Sequence, residues 1–204
     1  MSKKNQILDT ATRLFMLQGY GNTSMDQVTR ESGVSKATVY AHFSNKNSLF
    51  AMCLIYYQEQ NAISYPSLEK IPLSLTDLKA NLKQYLHQAF EFYNNEAVVA
   101  MYRLLISEIK QFPQLFELFF GNDSGVKTST LADYLQCFRQ KKDGVDHDYY
   151  FLACQILDLV RGASLWAKLV QNPHKVKFYE HPEETLQQIY ASVILLIDYY
   201  FKEQ

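Results

Sequence analysis

Residues 23–46 read TSMDQVTRESGVSKATVYAHFSNK, two short helical segments folded about one glycine. Ser24 to Gln27 has the form of a capping box, with a hydroxyl at the N-cap and Gln at the third helical position. A helix over Ser24–Ser32 follows. Gly33 stands where the chain must reverse, a position that favours positive φ. Val34 plugs the corner and Ser35 caps a third helix from about Lys36 to Phe43. Val28, Val34, Val39 and Phe43 form the apolar set that closes the unit. On a helical wheel Val39 and Phe43 point inward, while Ala37, Thr38 and Ala41 point the other way, flanked by Lys36, Tyr40 and His42. A small-residued outer face with polar edges suits a helix that enters a major groove.

Outward from this stretch the chain reads as helix throughout. The first helix runs from about Lys3 to Gln18, with Ile7, Ala11 and Phe15 on one face, and Gly19 stops it. A fourth begins near Lys46 and passes Tyr57. Next come Leu75–Tyr93, opened by Ser74 or Thr76, and Glu96–Lys110, then a short turn at Leu115–Phe120. After these follow Lys127–Lys141, a long helix His147–Gln171 that is apolar on nearly every face, and Glu183–Lys202. No period-two alternation persists, so no sheet is expected. The fold class is all-α: a helix-turn-helix head over residues 1–46 and a larger helical body over 47–204.

The first 50 residues hold six basic and three acidic side chains, and the remaining 154 hold 14 and 18. A modestly basic head on an acidic body fits a chain whose head alone meets phosphate. Cys53, Cys137 and Cys154 form no CxxC pair and read as idle thiols of a reducing cytoplasm. The start MSKKNQILDT lacks the apolar run of a signal peptide, and Ile189–Phe201 is too short to span a bilayer. No nucleophile-elbow, HExxH, P-loop or dinucleotide-binding motif occurs, which argues against an enzyme, and no cofactor or metal is expected. His147 between Asp146 and Asp148 reads as a solvated helix start.

Residues 7–54 resemble the tetracycline-repressor (TetR) family of bacterial regulators. The likeness rests on Leu14-Phe15, Gly19-Tyr20, Thr23-Ser24, the run Gly33 to Tyr40, His42-Phe43, Lys46 and Leu49. Thr29 departs from the usual Ala, and its hydroxyl is expected to bond back four residues. The resemblance implies that Ser24 presents its hydroxyl and N–H to phosphate, that Tyr40, His42 and Lys46 clamp phosphates, and that Lys3 and Lys4 reach adjacent ones. Ser35, Lys36, Ala37 and Thr38 occupy the stretch that touches base edges. That strip has no Arg, Asn or Gln, so Lys36 is its strong donor, suited to guanine O6 and N7, and DNA shape is expected to supply much of the selectivity.

The segments RLLISE (103–108) and LVRGA (159–163), with Trp166, resemble a branch that includes multidrug-efflux regulators. This implies a body that dimerises and binds a small molecule. The helices 147–171 and 183–202, apolar all round, need cover from a symmetry mate, which gives a four-helix homodimer interface. Two heads then read half-sites about 34–36 Å apart on double-stranded DNA. Tyr85, Phe92, Met101, Tyr102, Leu105, Phe116, Phe119, Phe138 and Trp166 are candidates to line a pocket for a hydrophobic effector. Glu108, Asp158 and Arg161 are charged candidates that can instead pair with one another. A body that binds a protein partner is the alternative. The fourth helix, with Phe50 and Leu54 four residues apart to seat it on the body, is the natural lever between the two parts.

Overall fold

The computed structural model describes residues 2–63, 65–68, 72–120, 128–138, 148–170 and 181–201, with the backbone alone at 118–120 and 167. Among these residues there are eleven helices and no strand. They are α1 (Lys3–Gln18), α2 (Met25–Ser32), α3 (Lys36–His42), α4 (Lys46–Gln60), α5 (Leu75–Asn94) and α6 (Glu96–Glu108). The rest are α7 (Gln114–Phe120), α8 (Thr128–Cys137), α9 (Tyr149–Ala163), α10 (Leu165–Val170) and α11 (Pro182–Phe201). The expected ends beyond residues 138, 170 and 201, and the His147 loop, lie outside the described residues.

Two compact units divide the chain, Met1–Ile63 with Glu96–Gly125, and Ser64–Asn95 with Val126–Gln204. In the first, Ile7, Ala11, Leu14 and Phe15 of α1 meet Val28, Val34, Val39 and Phe43 of the helix-turn-helix. Leu49, Phe50, Cys53 and Leu54 of α4 join them, as do Met101, Leu104, Leu105 and Leu115. The packing unit thus extends past residue 46, because three short helices have too little apolar surface to complete a core of their own. Phe50 lies edge-on to Phe15 and Tyr20, at 5.0 and 5.1 Å between ring centroids, and so seats α4 on α1.

In the second unit α5 buries Leu78, Leu82, Leu86, Ala89 and Tyr93 along one stripe. It packs on α9 and α11, whose buried faces carry Leu152, Ile156 and Val160, and Ile189, Val193 and Ile197. Lys79 on α5 pairs with Asp198 on α11 at 2.5 Å. The sequence pattern predicts one helix from 147 to 171, and the structure divides it. At Ser164, whose hydroxyl donates to the Val160 carbonyl at 2.6 Å, the backbone leaves helical values at φ −124°, ψ −73°, so α9 stops and α10 starts at Leu165. The expectation that both helices are apolar on every face is also corrected. Asp158 and Gly162 on α9, and Gln187, Gln188 and Ser192 on α11, are exposed, beside the exposed Tyr150, Phe151, Leu195 and Tyr199.

Candidate nucleic-acid interface

The local chemistry of residues 19–46 sets the geometry of the head. Gly19 ends α1 at φ +86°, and its N–H donates to the Phe15 carbonyl. Ser24 caps α2 by accepting the Gln27 N–H at 3.1 Å. The reciprocal arm of the expected capping box is not made. The Gln27 side chain instead bonds Gln18 and Glu31, because Gln18 at the end of α1 offers a nearer partner. Gly33 adopts φ +66°, ψ 14°, the left-handed turn its position requires. Ser35 caps α3, accepting the Thr38 N–H at 3.3 Å. Thr29 donates back to the Met25 carbonyl at 2.8 Å, as its departure from Ala predicts. Gln6 donates to the Ser32 carbonyl and Arg13 pairs with Glu31, so α1 fixes the C-terminal end of α2.

This scaffold leaves Ser24, Ser35, Lys36, Ala37, Tyr40 and His42 exposed and Thr38 half-exposed, with Val39 and Phe43 buried beneath. Lys3 and Lys4 are exposed in the first turn of α1. Lys36 has a partner that the sequence reading missed. Its ammonium lies 2.7 Å from the Asp26 carboxylate and 5.8 Å from the Tyr40 ring centroid, and the Asp26 hydrogen bond holds its pKa above the ordinary lysine value. Only the Gly33 turn brings positions 26 and 36 together, so spacing along one helix gives no sign of the pair.

Lys46 differs from the other expected phosphate ligands. It is half-buried, donates to the Gly21 carbonyl at 3.3 Å and sits 4.2 Å over the Tyr20 ring and 5.8 Å from that of Phe112. Burial lowers its pKa, and Glu108 partly offsets this. Around it the Glu108 carboxylate accepts the Gly21 N–H at 3.1 Å, Tyr20 donates to Asn47, and Tyr20 and Phe112 meet edge to face at 4.9 Å. Tyr20, Glu108 and Phe112 therefore shape the base of the head. Glu108 was read from the sequence as a pairing or ligand charge, and the aromatic pair had no periodic signal.

The residues of the expected pocket lining fall in both units. Met101 and Leu105 are buried, and Tyr102 partly so, in the core of the first unit. Tyr85 and Phe92 are buried in the second, with Phe92 against Tyr65 and Tyr93, and Phe138 meets Phe201 at 5.6 Å. Phe116 and Trp166 are exposed. Short α7 turns Leu115 inward and its neighbour outward, and the break at Ser164 leaves Trp166 57% exposed. The Phe119 side chain lies outside the described residues. Arg161 donates to the Tyr93 hydroxyl at 3.0 Å and pairs with Asp158 at 3.0 Å, as charged neighbours were expected to do. An open groove of about 730 Å³ runs between α9 and α11, lined by Phe151, Leu159, Leu195 and Leu196 among others. No group of three His, Cys, Asp or Glu that could hold a metal occurs among the described residues.

Comparison with known proteins agrees with this geometry. Residues 7–53 match the model of bacterial regulatory proteins of the tetR family, and residues 80–197 match the C-terminal domain of AefR-like transcriptional repressors. The chain is 27% identical over 136 residues to the uncharacterized HTH-type transcriptional regulator YerO of Bacillus subtilis (strain 168), covering 65% of this chain and 47% of that one. It is 40% identical over 48 residues to the HTH-type transcriptional regulator AcrR of Shigella flexneri, 24% of this chain and 22% of that one. These matches span about half or less of each relative's length. Over nearly the whole chain, the solved structure titled flavonoid-responsive regulator FrrA superposes with a TM-score of 0.74 at 28% identity, covering 96% and 95% of the two chains.

Proposed function

This chain belongs to the tetR family of bacterial regulatory proteins, and from that premise we propose that it is a DNA-binding transcriptional repressor which holds a pseudo-palindromic operator as a homodimer and lets go when a small aromatic effector binds. It is a regulator rather than an enzyme. The observation that carries the reading is the exposed, small-residued face of α3. There Ser35, Lys36, Ala37 and Thr38 stand clear of the buried Val39 and Phe43, with the Ser24 cap alongside. Such a face lets backbone and short side chains approach base edges closely, while Tyr40, His42, Lys3 and Lys4 supply phosphate contacts. Residues 1–46 are the DNA-binding domain and residues 47–204 the effector-binding and dimerising domain.

The dimer forms through α9 and α11. Phe151, Leu159, Leu195 and Tyr199 are exposed there beside the apolar groove, a surface that a symmetry mate covers at a favourable ~25 cal/mol per Å² of apolar area. The effector is an aromatic compound of flavonoid-like size. Two things support this class, the whole-chain similarity to a regulator titled flavonoid-responsive and the aromatic interior of the second unit around Tyr85, Phe92 and Tyr93. The chain works in the cytoplasm, where its DNA is, and no described helix is long and apolar enough to cross a membrane.

A salt series of binding to the duplex upstream of this protein's own gene, set against random duplex of equal length, tests the reading. Strong preference for the first, with a footprint of two half-sites and release by a flavonoid, is the expected result. Equal binding to both that no aromatic compound changes would overturn the repressor and effector assignments together.

A further inference from the structure

The DNA-reading face carries one acidic group that a phosphate-binding surface does not call for. Asp26 lies in the first turn of α2, two residues after the Ser24 cap, and is exposed. Its carboxylate holds the ammonium of Lys36 at 2.7 Å across the Gly33 turn. Lys36 is the strong hydrogen-bond donor on the base-reading strip of α3. Its own preferred partner in the free protein is therefore an anion of the same chain.

Building on the DNA-binding reading above, we infer that Asp26 is a specificity-determining residue, which neutralises Lys36 toward phosphate while leaving it able to donate to a guanine edge. The reasoning is electrostatic. A free lysine gains affinity for any duplex, because neutralising a phosphate releases condensed counterions whatever the sequence. A lysine already paired with a carboxylate presents no net charge, so the approach of a phosphate releases little and also meets repulsion from Asp26. The ammonium has three hydrogens, and Asp26 need occupy only one. The others still reach O6 and N7 of guanine, which are neutral acceptors and are not repelled. Asp26 thus changes Lys36 from a charge, which binds all DNA, into a directed donor, which reads one base.

The test uses the full-length protein, Asp26→Asn, Lys36→Ala and the double variant, on a random-sequence duplex and on the duplex recovered by selection from a random pool. Both positions are exposed, and thermal melts check that the variants stay folded. Asn keeps the size of Asp26 and removes its charge. D26N is expected to tighten binding to random duplex and to steepen the slope of log affinity against log salt by about 0.9, one added phosphate contact. Its advantage over the wild type then shrinks about 3.5-fold between 50 and 200 mM salt, the same slope applied over that range. The selected duplex gains less, so the ratio of specific to non-specific affinity falls. In the K36A background D26N changes the slope by much less.

An equal effect of D26N with and without Lys36 overturns the inference, since the acid then acts only as bulk charge. A specificity ratio that stays constant or rises overturns it as well, with DNA binding itself intact. If the wild type binds neither duplex at any salt, the DNA-binding reading fails first and the inference with it.

Discussion

Replacing Gly19 with Ala tests whether the turn before α2 is held as tightly as its geometry demands. Gly19 sits at φ +86°, ψ 168°, a region that glycine occupies almost alone, and forcing a side chain there costs about 1–3 kcal/mol. The new Cβ would lie 2.1 Å from the Glu108 Oε1 atom. That carboxylate end is flexible and can withdraw, but in doing so it gives up the Gly21 N–H, a solvent-exposed bond contributing about 0.5 kcal/mol. Together the two effects come to about 1.5–3.5 kcal/mol, a large part of the roughly 5–15 kcal/mol that holds a typical domain. Urea unfolding of the full chain, followed by far-ultraviolet circular dichroism, measures the loss. In a Glu108→Ala background the contact share is already spent, so Gly19→Ala should then cost only the backbone share. A loss below about 0.5 kcal/mol in the wild-type background, within the range of an ordinary surface substitution, would refute the reasoning.

Four further outcomes follow from the same structure. Burial pushes the Cys53 thiol from 9.0 up to about 12, so its contribution is fully present below pH 9 and is lost as pH rises from there toward 12. Between pH 9 and 10 this one group should remove about 1 kcal/mol, and Cys53→Ala should flatten that part of a stability-versus-pH curve. Leu195→Glu places a charge on the exposed face of α11, and sedimentation should find monomers with operator affinity reduced at least tenfold; an unchanged dimer would remove α11 from the interface. Tyr85 is buried, and Tyr85→Phe keeps the buried ring, so it should leave stability within about 1 kcal/mol of the wild type. A larger loss in thermal melts would reveal a partner for that hydroxyl. Lys36→Ala should flatten discrimination at one guanine of each half-site, which binding to a set of single-base operator variants would detect, whereas a uniform loss across the set would count against a base contact.

The head was legible because its signals are local. Gly33 between two short amphipathic runs, Ser24 and Ser35 three residues before the amides they cap, and the inward spacing of Val39 and Phe43 all act within a few residues. What escaped were contacts made across turns. Asp26 and Lys36 meet through the reversal at Gly33, and Glu108 reaches Gly21 across 87 positions of chain. Periodicity carries no record of either. The division of α9 from α10 was hidden for another reason. Ser164 reads as a tolerated helical residue, and the break shows only in its backbone angles, φ −124° and ψ −73°. The exposure of Phe116 and Trp166 was not legible, because hydrophobicity alone does not say on which side of a short helix a ring lies.

The corner between α6 and α7 bears on how the protein is made. Leu115 is fully buried in the same core as Phe15 and Phe50, and Phe112 and Glu108 close on the turn that leads into α2. A nascent chain paused after α4 has the whole helix-turn-helix in hand yet lacks these covering residues. The head reaches its final packing only once about 115 residues have cleared the ribosome.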